Sequence, residues 1–183
     1  DTIPAQRVIY AHPGDAEDLG TIRLVTRDPA ITLIGPAGGT ANDSRNRVQV
    51  VIPAGALTTT LPIQITPFDE REDFPNPLPD ITMTMYGMDL APSGTTFTTP
   101  VTVRIANTLN LPTALEIPTG RFNEVESQWD HIDTARWDGS RFAFRTSSFS
   151  RYDSNSGRAG ELVLIESFAR SPNQGAGTCG VGS

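Results

Sequence analysis

Apolar residues in this chain come mostly in short runs bounded by Gly, Pro, Asn, Asp or Ser. Residues 7–11 (RVIYA), 21–26 (TIRLVT) and 31–34 (ITLI) are the first three. They are rich in β-branched side chains and bounded by turn residues, which predicts strands. Residues 47–52 (RVQVVI) and 61–66 (LPIQIT) follow in the same style. From 81 to 90 (ITMTMYGMDL) the pattern starts with a period of two, with Ile81, Met83 and Met85 on one face and Thr82 and Thr84 on the other. That period marks a half-buried strand. Residues 95–105 alternate through Phe97, Val101, Val103 and Ile105, and Pro100 predicts a bulge or an edge. A further group spans 128–132, 136–137 and 141–145; its Asp138-Gly139 pair signals a hairpin, after which Phe142 and Phe144 share one face. Residues 161–168 (ELVLIESF) are too short to separate helix from strand by period and are read as a strand.

About ten short strands, with turn signals roughly every eight to twelve residues, describe an all-β antiparallel β-sandwich or barrel. No strand–helix alternation is present, so a doubly wound nucleotide fold is not expected. Sixteen glycines and fifteen prolines in 183 residues exclude long helices and coiled coils. No apolar run approaches the roughly 20 residues that span a bilayer, so no membrane span is expected. Neither end has the layout of a secretion signal, which reads as a mature or excised chain.

The net charge is −7, and all 14 basic residues are arginine. With no basic stripe to meet phosphates, no nucleic-acid partner is expected. The single cysteine, Cys179, excludes an intrachain disulfide framework and a thiolate zinc site; it is an idle thiol or an intermolecular link. The stretch 69–80 (DEREDFPNPLPD) is charged and proline-rich and is read as an exposed loop. Its clustered carboxylates also suit calcium. Residues 171–183 are mostly Gly, Ala, Asn and Ser, the composition of a tail or linker.

Two stretches together resemble a known family. Gly35-Pro36-Ala37-Gly38-Gly39-Thr40 leads to Val48-Gln49-Val50-Val51-Ile52-Pro53-Ala54-Gly55-Ala56-Leu57, and later come Ala91-Pro92-Ser93-Gly94-Thr95-Thr96-Phe97. The pairing resembles the β-sandwich domain shared by zonula occludens proteins, netrin receptors and ankyrins, in its bacterial surface-protein form. The segment from Glu116 through Trp129 to Tyr152 looks like bacterial versions found near the plug of Rhs- or teneurin-type shells. The resemblance covers residues 31–153 and divides the chain into an extension (1–30), the sandwich (31–153), and a terminal strand with a Gly-rich tail (154–183). It implies an attachment or assembly module without a cofactor, with Leu57 and Phe97 closing the ends of the sandwich.

Some relatives cut themselves between Phe and Ser. Carried onto this chain, Ser150 would attack the Phe149 carbonyl with His131 assisting. The alternative is plain strand alternation, with Phe149 in the core and Ser148 and Ser150 facing outward. The stretch Asp130-His131-Ile132-Asp133 raises a metal site or a His–Asp pair, but the second histidine, His12, is far away in sequence. No Gly-x-Ser-x-Gly elbow is present. Trp129 and Trp137 are core anchors or, alternatively, a sugar-stacking platform. Asn42-Asp43-Ser44 is a glycosylation sequon in an expected exposed turn. The expected function is therefore a noncatalytic structural subunit of an extracellular or cell-surface fibre, layer or shell. It would pair with copies of itself or neighbouring domains through terminal strands at 7–11 and 161–168. The alternatives are a plug or spacer domain of a larger secreted protein and the self-cleaving domain.

Overall fold

The computed structural model describes residues 1–5, 23–76, 78 and 83–155. Among these, ten strands form: β1 (Ile31–Ile34), β2 (Gly39–Asn42), β3 (Val48–Ile52), β4 (Leu61–Phe68), β5 (Thr84–Ala91), β6 (Thr96–Ile105), β7 (Ile117–Asn123), β8 (Gln128–Trp137), β9 (Phe142–Ser148) and β10 (Arg151–Asn155). A single 3-10 turn, Arg71–Asp73, is the only helical element among them. Every pairing is antiparallel, in the order β1-β4-β5-β10-β7-β8-β9-β6-β3-β2. The all-β antiparallel class read from the sequence is the class observed.

One strand folds this sheet into two layers. β8 pairs with β7 from Gln128 to Ala135, then hands over to β9, which it meets only at Arg136 and Trp137. The inner faces of the two layers then share a core. Ile63, Ile65, Met88, Leu90 and Tyr152 come from one layer; Val50, Ile52, Val103, Ile105, Phe142 and Phe144 come from the other. Their strict alternation in β3, β6 and β9 follows from the two-residue period of the pleat. Leu57 and Phe97 are buried in the same core. The turn from β1 to β2 demands glycine at Gly38, where φ is +74° and a Cβ would lie 2.5 Å from the Ile52 carbonyl oxygen.

Several expectations need correction. In β5 the inward residues are Tyr86, Met88 and Leu90, whereas Met83 is exposed and Met85 only half-buried. Ile81 and Thr82 lie outside the described residues. The strands β2, β7 and β10 are largely polar, and no apolar run marks them. Residues 23–26 do not form a strand; Thr26 makes one isolated bridge, to Thr2. The stretch 69–80 is not simply an exposed loop, because Asp73, Phe74 and Asn76 are buried. Phe74 packs over Gly87, where even a Cβ would come within 2.0 Å of its ring. Proline keeps a segment out of a ladder, but it does not keep it off the outer face of a sheet. The irregularity expected at Pro100 is present, since the β6–β9 register shifts between Thr96 and Val101. The Asp138-Gly139 hairpin is also present, closed by the Asp138 N–H donating to Arg141 O at 2.9 Å. The expected terminal strands at 7–11 and 161–168, together with His12 and Cys179, lie outside the described residues.

Candidate functional site

The corner between β9 and β10 carries the Ser-Phe-Ser tripeptide. Phe149 is buried edge-on against Phe97, with ring centroids 4.8 Å apart. Its N–H donates to Thr95 O at 2.8 Å, and its carbonyl accepts from Gly94 N–H at 3.0 Å. Ser150 does not face outward. It is buried, and its Oγ donates to Phe122 O at 2.8 Å. Ser148 is half-buried, and its Oγ accepts from Arg121 at 2.8 Å. Strand alternation fails here because the chain turns a corner and both serines find partners on β7. Tyr152 reaches back so that its hydroxyl meets Ser148 O and Thr146 Oγ1; burial pushes that phenol up to about 12.

His131 is elsewhere. It sits exposed on β8 opposite Gly120, and Gly120 in turn pairs with Asp153 of β10. β7 therefore lies between His131 and β10, and the register sets His131 level with Asp153 across β7, three residues beyond Ser150. The structure brings Phe149 and Ser150 together with β7, but not with His131. The neighbouring acids point to other tasks. Asp130 accepts from Asn123 and Gln128, both at 3.2 Å. Asp133 accepts the backbone N–H of Thr134 at 2.8 Å and of Arg145 at 2.7 Å. Among the described residues, no group of three His, Cys, Asp or Glu side chains is placed to hold a metal ion.

Beside His131 the outer face of the first layer forms a shallow pocket of about 260 Å³, lined by Pro118, Gly120, Trp129, His131, Asp153 and Asn155. Trp129 lines this pocket and also packs edge-on against Phe74 and Phe122. Trp137 packs against Phe142 beside the main core. Asp153 is flanked by Gly87 and Gly120 on the adjacent strands and is 2% exposed. Burial pushes its carboxyl up to about 7, which nearby Thr84, Arg71 and Asn155 only partly oppose.

The same face holds a charge network that sequence reasoning missed. Asp89, 2% exposed, receives Arg27 Nη1 at 2.6 Å and has Arg151 Nε at 3.5 Å. Burial raises the Asp89 carboxyl against the pull of Arg27. Arg151 also donates to Asn76 Oδ1 at 2.7 Å and to Pro4 O at 3.1 Å. One guanidinium thus pins both the N-terminal segment and the acidic loop to the sheet. A lone acid in the run Met88-Asp89-Leu90 was the available signal. The sequon residue Asn42 ends β2 rather than standing in an exposed turn; it is half-buried, and its Oδ1 accepts from Gln49.

The sheet's first edge is a different kind of surface. β1 pairs with β4 alone, so its other side has no ladder partner among the described residues. Its outward side chains Ile31 and Leu33 are 59% and 73% exposed. No protein-family model and no curated protein matches this chain.

Proposed function

We propose that this chain is a noncatalytic structural module of an extracellular or cell-surface fibre, layer or shell, joining copies of itself or neighbouring domains by strand pairing. The observation that carries the reading is the outer edge of β1, which has no ladder partner among the described residues, with exposed Ile31 and Leu33. An unpaired edge bearing apolar side chains is a template for another strand, and monomeric proteins usually blunt such edges with charge. The resemblance to the zonula occludens and netrin-receptor domain supports an assembly role. Its Gly-Gly-Thr entry coincides here with the Gly38 turn, and its Leu57 with the core.

The test is the association state of the full chain across a concentration series by sedimentation. The wild-type chain is expected to self-associate, and the Ile31→Lys/Leu33→Lys double variant to sediment as a monomer with an unchanged melting midpoint. A wild-type chain that stays monomeric at every concentration overturns the reading.

A further inference from the structure

The hand-over of β8 between layers leaves a second surface. Beyond Arg136 and Trp137 the strands β8 and β9 diverge, opening a cleft of about 380 Å³ lined by Pro100, Arg121, Ile132, Asp133, Arg145 and Ser147. Its only acid, Asp133, has both oxygens engaged by backbone N–H groups. Arg121 gives one nitrogen to Ser148 Oγ and stands 3.9 Å from Asp130 with another. Other strand arginines are held by acids, Arg104 by Asp138 and Arg136 by Glu116. Arg145 is exposed, and among the described residues its guanidinium meets no carboxylate within 4 Å. The cleft is thus a half-apolar slot in which Arg121 is already held by Asp130 and Ser148, and Arg145 is the rim cation that no carboxylate holds among the described residues.

A matching projection stands on the same molecule. The tip of the β7–β8 hairpin is Glu124-Val125-Glu126, and Val125 is 94% exposed. The tip is fixed in shape, since Asn123 Oδ1 accepts the N–H groups of Val125 at 3.1 Å and Glu126 at 3.2 Å. A preformed loop loses little freedom on docking. Glu124 is held within the chain by Arg151 at 3.7 Å and Ser93 at 3.3 Å, whereas among the described residues Glu126 meets only the neutral Gln128 amide. The tip thus offers an apolar knob beside one carboxylate to a cleft lined by Pro100 and Ile132 with Arg145 on its rim.

We propose that the β8–β9 cleft receives the Glu124-Val125-Glu126 tip of a second copy of this chain. Val125 enters between Pro100 and Ile132, and Glu126 meets Arg145. Knob and slot are separate patches, so each copy can give and receive, and repetition builds an array unless the rotation closes. The proposal rests on the self-association half of the functional reading and adds a contact distinct from the β1 edge.

Sedimentation of the full chain tests it, with melting curves as the folding control. Val125→Asp and Arg145→Glu are each expected to weaken self-association by about tenfold or more. Mixing the Arg145→Glu chain with a Glu126→Arg chain is expected to restore association that neither shows alone. If the wild type associates, the Ile31→Lys/Leu33→Lys variant does not, and the tip and cleft variants behave as wild type, the cleft proposal falls and edge pairing stands. If only the tip and cleft variants lose association, the cleft stands and edge pairing falls. A monomeric wild type removes both.

Discussion

The two faces of the first layer are built on opposite principles. Its inner face meets the second layer through alternating aliphatic and aromatic side chains, and the few buried hydroxyls there pair with each other, as Thr119 does with Ser154 at 2.9 Å. Its outer face is covered by the chain's own N-terminal segment and the loop after β4. There a small cluster of Ile3, Phe68 and Phe74 surrounds the Arg27–Asp89–Arg151 network. Apolar area alone is non-directional and tolerates sliding; buried ionic contacts are costly to desolvate but fix position. The inner face therefore supplies the bulk of the stability, while the outer face holds two irregular segments in one register.

The sharpest way to break the inner side is Phe144→Ala. Phe144 is 1% exposed and packs on Tyr152, with ring centroids 5.4 Å apart across the two layers. Truncation is expected to cost about 3–5 kcal/mol, read as a lower urea midpoint for the whole molecule. Because both layers lean on this ring, every probe should report the same loss. A cost near zero would mean that the layers do not share one core.

On the outer side, Arg151→Met is expected to cost about 3 kcal/mol, because Asp89 loses one of its two cations in a buried setting. Its effect should also be regional. Asn76 and Pro4 each lose the Arg151 hydrogen bond, so proteolysis in the loop after β4 and near the N-terminus should accelerate well below the global transition. Uniform loosening of both layers would contradict the contrast between the faces.

The same contrast explains what could be read from the sequence. β3, β6 and β9 were legible because one of their faces is apolar and the period of two is clean. β2 (Gly39–Asn42), β7 (Ile117–Asn123) and β10 (Arg151–Asn155) were not. Arg151 and Asp153 look like surface residues, yet the chain's own loop covers them, so burial of the outer face leaves no apolar mark. What makes these segments strands is the ladder offered by their neighbours rather than intrinsic preference. Ser150 was misplaced because alternation assumes a straight strand. The neighbourhood of His131 and Asp153 and the cleft at Arg145 arise only from register and from β8 changing partners, and neither is written locally.

The gentlest probe of the outer face is pH. The Asp153 carboxyl is pushed up to about 7 from an ordinary 3.8, chiefly by burial. A carboxyl whose folded value lies above its unfolded one holds its proton in the native state after the unfolded chain has released it. Its stabilising contribution is therefore full below about pH 4 and is lost as pH rises toward about 7, beyond which it is flat. Asp89 is shifted in the same direction and adds to that slope. Asp89 and Asp153, the buried acids with raised values, alternate with the inward-facing Met88, Leu90 and Tyr152, so this dependence belongs to the covered outer surface. Asp153→Asn keeps the shape and removes the titration. Relative to wild type it should flatten the fall in unfolding free energy between pH 5 and 7 by up to about 1.4 kcal/mol per pH unit. It should also raise the urea midpoint at pH 7.5, where the wild-type chain keeps a charge under the loop. Parallel pH profiles for the two proteins would show that this carboxylate is ionised and solvated in the native state, and the outer face would then be far more open than its packing indicates.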